Sequence, residues 1–213
     1  MRLKRDIVSK ESISSAQAVA SLRYRCMPRP RLDEGRYSIG AVQGGEIEAI
    51  REWRNAQTAW LRQAAPISPD AQRAYYAQQV WPEMASETPS KLLLSYYEDG
   101  RPIGYGGLVN IAWEHKRAEV SFLLRPDLAD DAAGYATRFS AFLGLLRRLA
   151  FEDLGLERLF TETFEGRDAH MAILESSGFV REGVMRHHVR IDGRPVDSIL
   201  HGCLASTIRQ SAG

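Results

Sequence analysis

Cysteine is scarce in this chain: only Cys26 and Cys203 among 213 residues. Two thiols so far apart form neither a disulfide framework nor a spaced set of metal ligands. Long apolar runs are missing as well. The richest, "AFLGLLRRLAF", is cut by Arg147 and Arg148, well short of the ~20 residues of a membrane span, so no membrane crossing is expected. Excess charge is also lacking, and a formal net charge of +1 argues against nucleic acid as a partner. The start is basic but has no continuous apolar core of the kind a signal peptide needs, which makes the cytoplasm the expected location. The chain shows no internal repeat and no low-complexity linker.

What is present is an ordinary globular balance, 44% hydrophobic and 26% charged, enough for one domain with a full core. Charge is unevenly placed. Residues 1–36 hold nine Lys/Arg against four Asp/Glu, a net +5, which leaves −4 for residues 37–213 out of the total of +1. The chain is therefore read as a basic N-terminal extension, 1–36, frayed and without a role, followed by a single domain, 37–213.

Regular punctuation begins at Tyr37. "YSIGAVQ" reads as a first strand, and "GEIEAIREWRN" as a helix with Ile47, Ile50 and Trp53 on one stripe. A second helix has a full start signal: Ser68 as cap, Pro69 at the first helical position, Asp70 in the first turn, and Pro82 beyond the end. "KLLLSYYE" and "PIGYGGLVNIAW" are joined by Asp99-Gly100, a dipeptide that tolerates the positive φ of a tight hairpin. "RAEVSFLLR" continues the sheet, with Glu119, Ser121 and Leu123 alternating against Val120, Phe122 and Leu124. After a turn at residues 130–134, Tyr135, Phe139, Phe142, Leu143, Leu146 and Leu149 form the apolar stripe of a long helix. "RLFTETF" is a strand, and "RDAHMAILESSGF" a short helix closed by Gly178. A terminal hairpin flanks Asp192-Gly193, and a two-residue loop there would set His188 opposite Asp197. The whole is one mixed α/β domain.

The turn at 130–134 raises a chemical question. A helix start presents unpaired amides backed by the helix dipole, and such a nest binds phosphate. Gly134 allows close approach, and Ala132, Ala133 and Ala136 keep side chains away. Asp130 and Asp131, however, are anions at an anion site. They are read as outward-pointing helix-start charges.

The run from Ile47 to His201 resembles the Gcn5-related N-acetyltransferase superfamily over roughly three quarters of the chain. That family's pyrophosphate loop, Arg/Gln, two residues, Gly, any residue, Gly/Ala, falls on Asp131, Ala132, Ala133, Gly134, Tyr135 and Ala136. Gly134 and Ala136 match; Asp131 departs, so the loop would bind by backbone amides, with help from Arg125 or Arg138. "RDAHMAILESSGF" is similar to the family's Asn-rich helix beside the CoA arm. The usual Asn falls on Arg167, the usual small residue on His170, and the position where many members carry a proton-donating tyrosine on Leu174. "WRN" at 53–55 and the ending "REGVMRHHVRIDGRPVDSILHG" resemble the Rim-type branch, in particular its amino-sugar N-acetyltransferases of pseudaminic-acid type.

The resemblance implies a mixed, mainly antiparallel sheet with helices on both faces, acetyl-CoA as co-substrate, no metal, and a small-molecule amine as partner. Nucleic acid and membrane are not expected as partners; a homodimer is left open. The acceptor would be an amino sugar, with a protein N-terminus as alternative and a catalytically inactive acyl-CoA-fold module as a third reading. Phe122, Leu123, Leu124 and Arg125 would border the thioester and supply an amide to its oxygen. The loop from Asp131 through Thr137, with Arg167 and His170, would hold the cofactor. Trp53, Arg54 and Asn55 would approach the acceptor.

Acetyl transfer to an amine requires a lone pair on nitrogen, so something must take a proton. Glu119 could do this directly or through water, and His115 is the alternative, since imidazole titrates nearest neutrality. His170 would contact the cofactor or protonate a thiolate, or simply pack. His187, His188 and His201 lack any HExxH pattern or carboxylate at ligand spacing, which favours a His188–Asp197 hydrogen bond over a metal.

Overall fold

The computed structural model describes residues 22–58, 61, 63 and 65–211. Eight strands form one sheet: β1 (Arg31–Glu34), β2 (Tyr37–Ala41), β3 (Leu92–Glu98), β4 (Arg101–Ala112), β5 (Arg117–Leu124), β6 (Arg158–Phe164), β7 (Val180–Ile191) and β8 (Arg194–Leu204). Their order is β1-β2-β3-β4-β5-β6-β8-β7. Every neighbouring pair is antiparallel except β5 and β6. The helices are α1 (Ile47–Asn55), α2 (Pro69–Tyr75), the single turn α3 (Pro126–Ala129), α4 (Ala132–Arg147), α5 (Asp168–Ser176) and α6 (Ala205–Ser211). The Ser68 hydroxyl caps α2 by accepting from the Ala71 amide.

Two adjacent tyrosines show that both faces of the sheet are covered. Successive strand residues point to opposite faces. The Tyr96 hydroxyl donates to the Arg138 carbonyl on α4, whereas the Tyr97 hydroxyl donates to Glu46 at the start of α1. The apolar stripe of α4 lands as the spacing predicts: Phe139, Phe142, Leu143 and Leu146 are buried. Phe122 on β5 packs between Phe139 and Phe142, with ring centroids 4.6 and 4.8 Å away. This aromatic layer carries the floor of the site described below.

Two expectations are corrected. The boundary at residue 36 falls in the turn of a hairpin, because β1 pairs with β2 over its whole length. Tyr24 and Leu32 are each only 1% exposed, and the Tyr24 hydroxyl accepts a hydrogen bond from the Leu93 amide. Residues 22–36 therefore belong to the domain; residues 1–21 of the expected extension lie outside the described residues. We expect Tyr24→Phe to cost roughly 1–3 kcal/mol in denaturant unfolding, since the buried Leu93 amide loses its acceptor while the ring remains.

The terminal hairpin is the second correction. Ile191↔Arg194, Arg190↔Pro195 and Val189↔Val196 pair as a two-residue loop requires, but the register then shifts, and Met185 faces Ser198. His187 sits in the bulge with φ +52°. Its backbone amide, not the His188 ring, takes Asp197 at 2.7 Å, and His188 turns toward Glu162 at 3.9 Å. A bulge inserts residues that no turn rule counts.

Candidate active site

β5 and β6 run side by side for three residues only, Arg117↔Arg158, Ala118↔Leu159 and Glu119↔Phe160. Beyond Glu119 each strand stays with its other neighbour, β5 with β4 to Leu124 and β6 with β8 to Phe164, and the two part. Alternate backbone groups of β5 past this point face a gap instead of a strand. The gap holds a cavity of about 230 Å³ lined by Arg54, Asn110, Glu119, Glu162, Thr161 and Thr163, among others. A bulge in β4 places Asn110 at φ +50°, and its side-chain amide donates to Glu119 at 2.7 Å. The Thr161 hydroxyl is buried against this cavity with no hydrogen-bond partner among the described residues. Buried polar groups are rarely left so.

A larger cavity, about 870 Å³, runs between the start of α4 and the start of α5. Phe122, Leu123 and Leu124 form its floor; Asp130, Ala132 and Ala136 line one end. The two cavities share Leu61, Phe122, Arg167 and His170, so they meet at one seam. The arrangement suits a long ligand lying in the groove with its end at the seam, facing a second molecule in the polar cavity.

The family described as Acetyltransferase (GNAT) domain matches residues 39–200. The chain belongs to this family. Among curated proteins, the "Uncharacterized N-acetyltransferase YoaA" of Bacillus subtilis (strain 168) is 30% identical over 96 residues, 45% of this chain and 51% of that protein. The match thus spans about half the length of that relative. Among solved structures, the spermidine N-acetyltransferase from Vibrio cholerae in complex with CoA and spermine aligns with TM-score 0.69 at 18% identity, covering 81% of this chain and 98% of that one. Mutant forms of the spermidine/spermine N-acetyltransferase SpeG from Vibrio cholerae align with TM-score 0.71 at 18% identity, over 84% and 100%. At such identities these structures establish the shared fold.

The start of α4 in this GNAT domain has the expected small residues and an unexpected occupant. Asp131 precedes the helix as its cap, and a side-chain carbon added at Gly134 would overlap both the Asp131 carboxylate and the Arg138 guanidinium. The carboxylate therefore lies over the first turn and does not point outward. Arg125 pairs with Asp127 through two nitrogens, at 2.6 and 2.9 Å, whereas Arg138 gives only its Nε to Glu98 at 3.1 Å and keeps Nη1 over Gly134 at the helix start. Arg125, Asp131, Ala133, Gly134 and Thr137 do not line the groove, and the Thr137 hydroxyl bonds back to the Ala133 carbonyl. A pyrophosphate here would be held by backbone amides at the start of α4, with Asp130 and Asp131 as nearby negative charges.

Three expected site residues stand elsewhere. His115 ends the single 3-10 turn Trp113–His115; its ring is 61% exposed, lies 3.1 Å from Glu114, and lines neither cavity. That turn ends in Lys116 at φ +47°, in the left-handed region. Asn55 is a brace: its side chain donates to the Ile67 carbonyl and accepts from the Ile67 amide and Gln63. Trp53 packs against the core. Of the "WRN" triplet only Arg54 reaches the polar cavity.

Leu174 is fully buried in the core. At the seam stand Tyr135, Arg167 and His170. The Tyr135 hydroxyl and His170 Nδ1 are 2.8 Å apart, and the imidazole stacks on Phe139 at 4.3 Å and 15°. Burial raises the Tyr135 phenol above its ordinary range, with Arg167 opposing. Burial first, then the Arg167 charge and His201, pushes the His170 imidazole down to about 3. An unfolded chain's imidazole titrates near about 6.5. Between those values the unfolded chain binds a proton that the folded chain refuses, so stability falls as pH drops below about 6.5. From pH 7 to pH 5 we expect wild type to lose roughly 2 kcal/mol more stability than His170→Phe in denaturant melts.

Sequence reading missed Asn110, Thr161, Glu162 and the Tyr135–His170 pair as a unit. They come from β4, β6, α4 and α5, and no local spacing connects them. Among the described residues no group of three or more His, Cys, Asp or Glu could hold a metal, and no helix is long and apolar enough to cross a membrane.

Proposed function

We propose that this chain transfers the acetyl group of acetyl-CoA to a primary amine of a small molecule by direct attack. One observation carries the reading: a groove that starts at a helix N-terminus meets, at the parting of β5 and β6, a polar cavity holding a carboxylate. The amides at the start of α4 would hold the pyrophosphate, and Phe122, Leu123 and Leu124 would border the pantetheine arm. β5 amides that have lost a strand partner would face the thioester oxygen, whose charge grows as the amine attacks. Glu119, held by Asn110, would take the proton that an ammonium must lose to attack.

For the acceptor we propose an amino sugar, supported by Thr163 and the Arg54 guanidinium in the cavity lining, groups that match hydroxyls and an anionic substituent. The Rim-type resemblance supports the same assignment. A polyamine is the second reading, because two carboxylates, Glu119 and Glu162, line one small cavity and would attract a polycation. A protein N-terminus fits less well, since an extended peptide needs an open groove. The inactive-module reading rests on Asp131 and on Leu174 at the usual tyrosine position.

Calorimetry with acetyl-CoA and desulfo-CoA, followed by thiol-release assays on amino sugars, polyamines and peptides, tests this. Micromolar binding with release driven by an amino sugar is the expected result. Release with spermidine alone would shift the acceptor to polyamines, and binding without turnover on any amine would leave the inactive module.

A further inference from the structure

The side chains at the seam between the cavities define which hydrogen the His170 ring presents to a ligand. Arg167 Nη2 lies 3.5 Å from His170 Nδ1 and 3.4 Å from the Tyr135 hydroxyl. A guanidinium carries donors only and a fixed positive charge, so the groups facing it turn lone pairs toward it. Nδ1 is therefore the acceptor. The phenol presents its oxygen to Arg167 and donates its hydrogen to Nδ1 at 2.8 Å. A neutral imidazole whose Nδ1 accepts carries its proton on Nε2. The ring is clamped by the stack on Phe139 and lines both cavities. Among the described residues, the hydrogen bonds to this ring fall on Nδ1. Nε2–H is left for a ligand at the seam.

The seam is also where the acyl group must sit on the reading given above, because the groove occupant and the acceptor touch only there. We propose that neutral His170, locked by Tyr135 and Arg167 with its proton on Nε2, donates a hydrogen bond from Nε2 to the thioester sulfur as the C–S bond breaks. The amine nitrogen forms the new C–N bond, the C–S bonding pair stays on sulfur, and CoA leaves as a thiolate. The proton lost by the amine departs through Glu119. His170 keeps its own proton throughout, since a neutral imidazole is a far weaker acid than a thiol; it stabilises charge and does not transfer a proton. Tyr135 is a positioning residue, acting through the ring.

Long-range 1H–15N NMR on the full chain reads the tautomer without turnover. The expected wild-type signature at neutral pH is a neutral ring protonated on Nε2, with the double variant Tyr135→Phe, Arg167→Leu giving a mixture. A ring protonated on Nδ1, or cationic, would overturn the assignment. Kinetics supply the second arm: glutamine places an amide N–H close to where Nε2–H stood, and leucine does not. We expect His170→Leu to lower kcat ten- to a hundredfold and His170→Gln to stay within about fivefold, both with unchanged acetyl-CoA Kd. Equal losses in the two folded variants would also overturn it. If wild type fails to bind acetyl-CoA, the acetyltransferase reading falls together with the sulfur contact; binding with the wrong tautomer removes the contact alone.

Discussion

Replacing Glu119 by glutamine is expected to lower kcat by roughly a thousandfold while leaving the acetyl-CoA Kd unchanged. Glutamine keeps the size of the side chain and can still bond to Asn110, which now donates to Glu119 at 2.7 Å. It cannot take a proton, so an ammonium at the seam would keep its charge and have no lone pair to attack with. The loss belongs in kcat because Glu119 lines the polar cavity and not the groove between α4 and α5. A chemical control separates this from simple damage. Acceptors of low basicity, such as hydroxylamines, arrive already neutral, so the variant should approach wild type with them. Full activity of Glu119→Gln on an ordinary primary amine would remove Glu119 as the base. With His115 on an exposed loop, Glu162 would be the next carboxylate to test.

Gly134→Glu is the second large effect, and here the loss should appear in binding. A side-chain carbon at 134 already displaces the Asp131 carboxylate and the Arg138 guanidinium, both flexible ends that can move. A third carboxylate beside Asp130 and Asp131 adds repulsion. Like charges 4 Å apart repel by about 4 kcal/mol at an effective dielectric of 20, which solvent at the helix start reduces. We expect acetyl-CoA affinity to fall by at least about a hundredfold in calorimetry, at about 1.4 kcal/mol per factor of ten. Gly134→Ala should cost far less, since it adds bulk without charge. The converse change, Asp131→Gln, should tighten binding about three- to tenfold by removing a negative charge from the start of α4. Unchanged affinity in Gly134→Glu would take this helix start out of the site.

Residue patterns that depend on near neighbours in the chain were legible. The Asp99-Gly100 turn adopts φ +49° and +76°, and the α4 stripe is buried as its spacing requires. The helix closed by Gly178 was placed, whereas α4 begins at Ala132, so Gly134 lies inside its first turn and not in the connection before it. The errors have a common cause. His115 looked well placed because it precedes β5, yet a single 3-10 turn points it to solvent. Asn55 sat in a promising triplet, yet it braces the Ile67 segment twelve residues on. His188 and Asp197 were paired by counting from the loop, and a bulge broke the count.

The sequence by itself determined the family and the order of the elements from β2 to β8, the short α3 apart, because helix periods, caps and tight turns are set by residues within a few positions of one another. Only the tertiary structure decided that residues 22–36 complete the sheet and core. It alone decided where β5 leaves β6, and which side chains meet in the gap. Those facts depend on competition between non-local pairings: β5 follows β4 and β6 follows β8 because each antiparallel ladder runs longer than the three parallel pairs between them. The same competition brings Tyr135, Arg167 and His170 within hydrogen-bonding reach across a gap of more than thirty positions from α4 to α5, and no periodicity along the chain encodes that meeting.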